Sequence, residues 1–332
     1  MAWPTLRLIA FINGIFLITL AIGMIGPMFT LFVFDRATEV SPFAWAGLIT
    51  FIAGLSMIAR GKPQDVHLRP RDMYLLTVSS WLTVCVFAAL PFMFTQHMSY
   101  TDAFFESMSG ITATGATVLT GLDDMSPGIL IWRSMLHWLG GIGFIAMAVA
   151  ILPMLRIGGM RLFQTESSDR SDKVMPRSHM VAKYMAVAYF GISVLGCLAF
   201  WLAGMNFFDA INHAMSAIST GGFSTSDLSL AKWTQPAVHW VAVVLMILGS
   251  LPFVLYVSTL RGNFSAVLND QQVRGFLGIL ISVWLSMGTW YYFTTDLHWL
   301  DALRHVAVNA TSVMTTTAVS YTHLTLPTKR IV

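Results

Sequence analysis

Polar steps rich in threonine and glycine interrupt membrane-length apolar sequence at near-regular intervals, and a lipid bilayer leaves few ways to fold them. The first lies in FFESMSGITATGATV at 104–118 and the second in INHAMSAISTGGFST at 211–225. A third begins in VNATSVMTTTAV at 308–319. At membrane depth, irregular polar backbone is tolerated only where protein buries it or where it lines a water-filled path. Repeated around a single chain, such steps supply rings of oxygen atoms, which is how a cation filter is built.

The composition sets the class. Hydrophobic residues make up 56% and charged residues 11%, against about 25% charged in soluble domains. Several apolar runs reach the roughly 20 residues that cross a bilayer. The fold class expected is therefore an all-α polytopic membrane protein. The first run is longer than a signal h-region and lacks a small-residue cleavage site, so it is expected to stay as a span. The net charge of +3 reads as loop asymmetry and not as nucleic-acid binding. Cys85 and Cys197 fall inside apolar runs, which suggests neither a disulfide nor a metal site.

Candidate spans cover 8–34, 43–59, 73–94, 128–155, 178–203, 237–260 and 275–293. Half-spans cover 102–111, 209–218 and 305–314. Ten helical residues rise about 15 Å, half-way through the hydrocarbon. Ser126-Pro127, Met175-Pro176 and Thr234-Gln235-Pro236 put proline near a first helical turn, where its missing N–H costs nothing. Asp102 and Asp209 stand where a carboxylate caps free amides.

Basic residues cluster in alternate loops: Arg60, Lys62, Arg69 and Arg71; then Arg156, Arg161, Arg170, Lys173, Arg177 and Lys183; then Arg261 and Arg274. The other loops carry Asp102, Glu106, Asp123, Asp124, Asp209 and Asp227. The positive-inside rule makes the basic loops cytoplasmic, puts the amino terminus inside, and brings the half-helices in from outside. The repeating unit is span, pore half-helix, filter turn, span. It divides the chain into an amino-terminal hairpin (1–70), a first pore repeat (71–160), a second (161–262), a partial third (263–318) and a tail (319–332).

A potassium ion must exchange its water shell for fixed oxygens, which inward-pointing carbonyls supply. Glycine permits torsions that a β-carbon forbids. Thr112, Ala113, Thr114 and Gly115 form a candidate first quadrant, Ser219, Thr220, Gly221 and Gly222 a second, and Thr315, Thr316 and Thr317 a third. The half-helices aim their negative carboxyl ends at the same place. A single Thr/Gly turn between helices is ordinarily just a turn, and it is the recurrence that argues for a filter.

Glu106, inside the first half-helix, either concentrates cations at the outer mouth or is paired in a polar funnel. His213 takes its place in the second copy. His137-Trp138 and His239-Trp240 in the returning spans lack further ligand types, so packing is favoured over metal binding. Gly140-Gly141-Ile142-Gly143 lies in an apolar helix, which points to close helix packing and not to a nucleotide loop. The many Met and Phe residues read as core or lipid-facing filler.

These residues carry a family resemblance. SMSGITATGATVLTGLD (107–123), HWLGGIGFI (137–145), GGMRLFQTESSD (158–169) and AISTGGFSTSD (217–227) resemble the membrane subunit of the Trk potassium-uptake system, in the Trk/Ktr/HKT superfamily. The extra hairpin fits its TrkH-like branch, and the likeness covers residues 1 to about 317. The resemblance implies four pore repeats around one potassium pathway in the inner membrane, each with a critical filter glycine, which Gly115 and Gly222 match. It also implies a homodimer on a cytoplasmic nucleotide-binding regulatory subunit, with no cofactor and no enzymatic activity.

After Thr317 the family pattern calls for glycine, whereas Ala318 and Val319 stand here. The tail SYTHLTLPTKRIV matches nothing in the family, and the chain is expected to be a fragment ending in non-native sequence. Competing readings are a secondary transporter with discontinuous helices, a non-conducting remnant, and a membrane-embedded enzyme built on Ser109-Gly110 and His137.

Overall fold

The computed structural model describes residues 3–59, 70–155, 174–263 and 265–317, and among these the regular elements are all helical. The loop at 60–69, most of the basic segment 156–183 with its GGMRLFQTESSD stretch, Ala318 and the tail 319–332 lie largely or wholly outside the described residues.

The hairpin consists of α1 (Trp3–Gly23) and α2 (Ile25–Val33), then α3 (Val40–Ile58). The first repeat runs α4 (Pro70–Ala88), α5 (Leu90–Gln96), half-helix α6 (Tyr100–Ile111) and returning helix α7 (Pro127–Leu155). The second runs α8 (Val174–Leu202), half-helix α9 (Phe207–Ile218), α10 (Pro236–Ser250) and α11 (Phe253–Leu260). After the short α12 (Ser265–Asn269), span α13 (Gln271–Thr294) leads to half-helix α14 (Trp299–Met314). The stretches Thr5–Val33, Ala37–Ile58, Arg71–Gln96, Val181–Leu202 and Gln271–Thr294 are each long and apolar enough to cross a membrane.

One core joins the hairpin to the first repeat through Leu17, Met24, Phe43, Phe92, Ile111, Trp132 and Leu136. Trp132 donates to the Ala88 carbonyl at the α4–α5 break, 3.1 Å, and Ser126 at the entrance of α7 donates to Glu39. A second core gathers Phe200, Ala210, Ala214, Val243 and Met246 of the second repeat with Ala307 and Val308 of α14. Each later half-helix leans on the returning helix of the repeat before it: α9 packs on α7, and α14 on α10.

Two expectations are corrected. The expected span 237–260 is broken, with α10 and α11 meeting at 92°. Pro252 is the cause: it lacks an N–H and forces the preceding Leu251 into extended backbone, ψ 149°. Tyr256 donates its hydroxyl to the Leu248 carbonyl, 2.7 Å, beside the break. The third half-helix starts at Trp299 and not at 305, so it has 16 residues where the other two have 12.

Candidate ion-coordinating turns

The first two half-helices start on a shared device that differs from the one expected. Ser99 and Asn206, and not the aspartates, are the N-caps. Asp102 N–H donates to Ser99 Oγ at 3.2 Å, and Ser99 donates back to the carboxylate at 2.7 Å. Asp209 N–H donates to Asn206 Oδ1 at 2.8 Å, and Asn206 donates back to Asp209 Oδ2 at 2.7 Å. The aspartates thus take the third helical position of a capping-box-like pair, in which the carboxylate accepts from the N-cap side chain and not from its backbone N–H.

The carboxyl ends match residue for residue. In the first, Ala113 N–H donates to Gly110 O at 3.0 Å and Thr114 N–H to Ser109 O at 2.9 Å. In the second, Thr220 N–H donates to Ala217 O at 3.1 Å and Gly221 N–H to Ser216 O at 2.9 Å. In the third, Thr316 N–H donates to Val313 O at 3.2 Å and Thr317 N–H to Ser312 O at 2.9 Å. This pair of bonds is the Schellman helix end, which requires one left-handed residue. Ala113, Thr220 and Thr316 supply it, with φ of 52°, 51° and 56°. A threonine there is strained and persists only where its surroundings hold it. Thr112, Ser219 and Thr315 each return their hydroxyl to the carbonyl one turn back, at 2.7 to 2.8 Å.

Beyond each Schellman end the chain leaves the helix on glycine. Gly115 and Gly222 stand at φ 80° and 83°, a region open to glycine and costly for other residues. The matching third position is Ala318, outside the described residues.

Side chains inside the half-helices tie down the segments that follow these glycines. Glu106 accepts from Thr117 Oγ1 at 2.9 Å and from Val118 N–H at 3.2 Å. Arg133, on α7, donates to Glu106 at 2.8 Å, to Thr117 at 3.1 Å and to the Ser224 carbonyl of the second repeat at 3.1 Å. Both charged side chains are buried, 0% and 1% exposed. Glu106 is thus buried and paired with Arg133. His213, at the equivalent position, contacts Ser224 Oγ through Nε2 at 3.1 Å, and Asp209 accepts from Thr225 at 2.6 Å. The carboxylate is not repeated, but the tether is. Arg133 escaped the sequence reading; the signal was a lone arginine in an apolar helix, 27 residues beyond a buried acid.

The acidic loops clasp each other. Asp227 accepts from Gly121 and Leu122 N–H at 2.8 and 3.2 Å. Asp123 accepts from Ser226 at 2.9 Å, from Asp227 N–H at 3.3 Å and from Lys232 at 2.7 Å. Partial burial pushes the Asp123 carboxyl up, but Lys232, Ser226 and the Asp227 amide outweigh it and hold it below the usual aspartate range. A depressed folded-state value means that the clasp contributes fully above the usual aspartate range and is lost as pH falls through the lowered folded-state value. Protection of the Asp227 amide, its exchange rate set against the intrinsic rate at the same pH, is expected to fall at acid pH in the native chain, and in Asp123→Asn to be low already at neutral pH.

The glycine-rich stretch of α7 packs as expected. A β-carbon on Gly140 would lie 1.9 Å from the carbonyl oxygen of Ile111, the last residue of α6. Gly249 meets the Ile218 carbonyl of α9 in the same way, at 2.5 Å. Gly141 faces the Tyr189 hydroxyl and Ser219. No group of three or more His, Cys, Asp or Glu residues able to hold a metal occurs among the described residues. His239 contacts the Leu230 carbonyl at 3.2 Å. His137 Nδ1 lies 3.3 Å from Ser216 Oγ, and Ser109 Oγ and His137 Nε2 form no hydrogen bond with each other or with any other described residue.

The family model for TrkH, a cation transport protein, matches residues 41–318. The chain belongs to the TrkH family. One relative, the Trk system potassium uptake protein TrkI of Halomonas elongata, is 42% identical over 95% of this chain and 63% of its own. The Trk system potassium uptake protein TrkH of Escherichia coli is 39% identical over 64% of this chain and 45% of its own. The crystal structure of the potassium transporter TrkH from Vibrio parahaemolyticus superposes with a TM-score of 0.86 at 31% identity, covering 96% of this chain and 66% of that one. The matched part of this chain thus spans less than two thirds of the length of each of these proteins. As in TrkH-family proteins generally, the chain is a multi-pass helical membrane protein and not an enzyme.

Proposed function

We propose that the three turns are successive quadrants of a cation-selective filter, and that the protein containing them takes up potassium across the cytoplasmic membrane. The observation that carries this reading is the repeated helix end, with one hydrogen-bond register leading into Gly115 and Gly222 at the same positive φ. Thr112–Gly115, Ser219–Gly222 and Thr315–Thr317 present carbonyl and hydroxyl oxygens at three equivalent places. The half-helices set the negative ends of their dipoles beside them. Relatives named for potassium uptake support potassium as the ion.

The working units are the hairpin and the repeats at 71–160, 161–262 and 263–318. The amino terminus is cytoplasmic, the protein acts as a homodimer, and its partner is a cytoplasmic nucleotide-binding regulatory subunit. A secondary transporter with discontinuous helices would also bring helix ends to the midplane, but three serial turns in one register favour a filter.

Gly115→Ser tests the reading in the full-length protein. A β-carbon in that left-handed conformation costs roughly 1–2 kcal/mol, so discrimination against sodium is expected to fall about tenfold. An unchanged rubidium-to-sodium flux ratio would remove Gly115 from the filter.

A further inference from the structure

The second turn lacks a fastening that the other two possess. Thr112 and Thr114 hydroxyls lie 2.8 Å apart, and Thr315 and Thr317 hydroxyls 2.7 Å apart. Each pair clips its turn just ahead of the filter glycine position. The second turn has Ser219 at the first place of the pair but Gly221 at the second, so no clip can form.

A neighbouring repeat fills that space. A β-carbon on Gly221 would lie 2.2 Å from His137 Nδ1. The imidazole, fully buried on α7, has Nδ1 3.3 Å from Ser216 Oγ. Ser216 is also the residue whose carbonyl holds Gly221 N–H. The ring stacks on Phe223, the residue after Gly222, with centroids 4.0 Å apart and planes 14° from parallel. Arg133, one turn earlier on α7, also lies against Phe223, 4.0 Å from its centroid. Gly221 is not among the residues with positive φ, so its backbone suits a threonine. The three atoms nearest to that β-carbon all belong to His137.

We propose that His137 is a positioning residue for ion specificity, standing in for the missing hydroxyl clip and holding Gly221–Phe223 from the preceding repeat. A histidine that merely fills a core would affect stability and uptake without changing the preference between ions. A clip acting on the filter backbone changes the preference. The inference rests on the filter reading, and the experiment separates the two.

The test compares His137→Ala, Gly221→Thr and the double variant in the full-length protein, reading membrane accumulation, rubidium uptake and competition by sodium. Gly221→Thr alone is expected to lose uptake, because its β-carbon and the imidazole cannot share the site. His137→Ala is expected to lower the rubidium-to-sodium preference about tenfold, the scale of one neutral hydrogen bond. The double variant restores the threonine–serine clip and is expected to recover the preference to within about threefold of native, under 1 kcal/mol.

Native preference in His137→Ala would overturn the proposal. So would a double variant no better than Gly221→Thr, whether it accumulates without recovery or fails to accumulate. If His137→Ala does not accumulate, recovery in the double variant supports the proposal, and its failure overturns it. Gly115→Ser is run alongside: no change there removes Gly115 from the filter and with it the reading on which this inference rests, whereas a change there with none at His137 sinks only this inference.

Discussion

Gly140→Ala is expected to reduce rubidium uptake at least about a hundredfold, the cost that a misplacement near 1 Å can impose on a positioned site. The added carbon would stand 1.9 Å from the Ile111 carbonyl oxygen and 2.8 Å from its carbon. Neither atom can rotate away, since both are backbone. Either α7 must move or the end of α6 must, and α6 carries Thr112 to Gly115 with it through the Schellman bonds. Gly143 is the control, because a β-carbon there meets no atom of the described residues within 4 Å. Gly143→Ala should keep uptake within about twofold, consistent with a surface-type substitution. Equal losses at both positions would point to α7 helicity and not to the α6 contact.

The second large effect is expected at the Glu106–Arg133 pair. Removing one member of a buried ion pair leaves the other charge uncompensated, at about 3–5 kcal/mol. Glu106→Ala strands the guanidinium and also releases Thr117 and Val118. Arg133→Ala strands the carboxylate and frees the Ser224 carbonyl of the neighbouring repeat. Each single variant should lower thermal stability in detergent by that order. The double replacement Glu106→Gln with Arg133→Met should lose less than either, because no buried charge is left over. Additive losses in the double variant would show that the two side chains act separately.

The contrast between these two sites shows how far sequence can be read. Gly140 stood in a visible small-residue stretch, and close packing followed from composition alone. Its partner did not, since the Ile111 carbonyl belongs to an element that only folding brings beside α7. Glu106 was visible as an acid at membrane depth, yet its role depended on Arg133. His137 was visible beside Trp138 and read as packing. Its closeness to Gly221 appears only when the two repeats are placed side by side. The end of α10 is an opposite case: Leu251-Pro252 is in plain view in the sequence, yet the apolar run continues straight through a residue that stops helices.

The sequence by itself determined the class, the half-helices and the positions of the turns, because apolar run length and Gly, Thr and Asp placement act locally. It also put Gly115 and Gly222 in register with one another, since the repeat is written in the chain. The tertiary structure alone decided which side chains hold the turns in place. Glu106, His213 and Asp209 tether the segments after the glycines, Arg133 and His137 reach across from one repeat to the next, and Asp123 and Asp227 join the loops. Several of these bonds span about a hundred residues, and no local pattern records which partner a buried polar group will find once the helices pack.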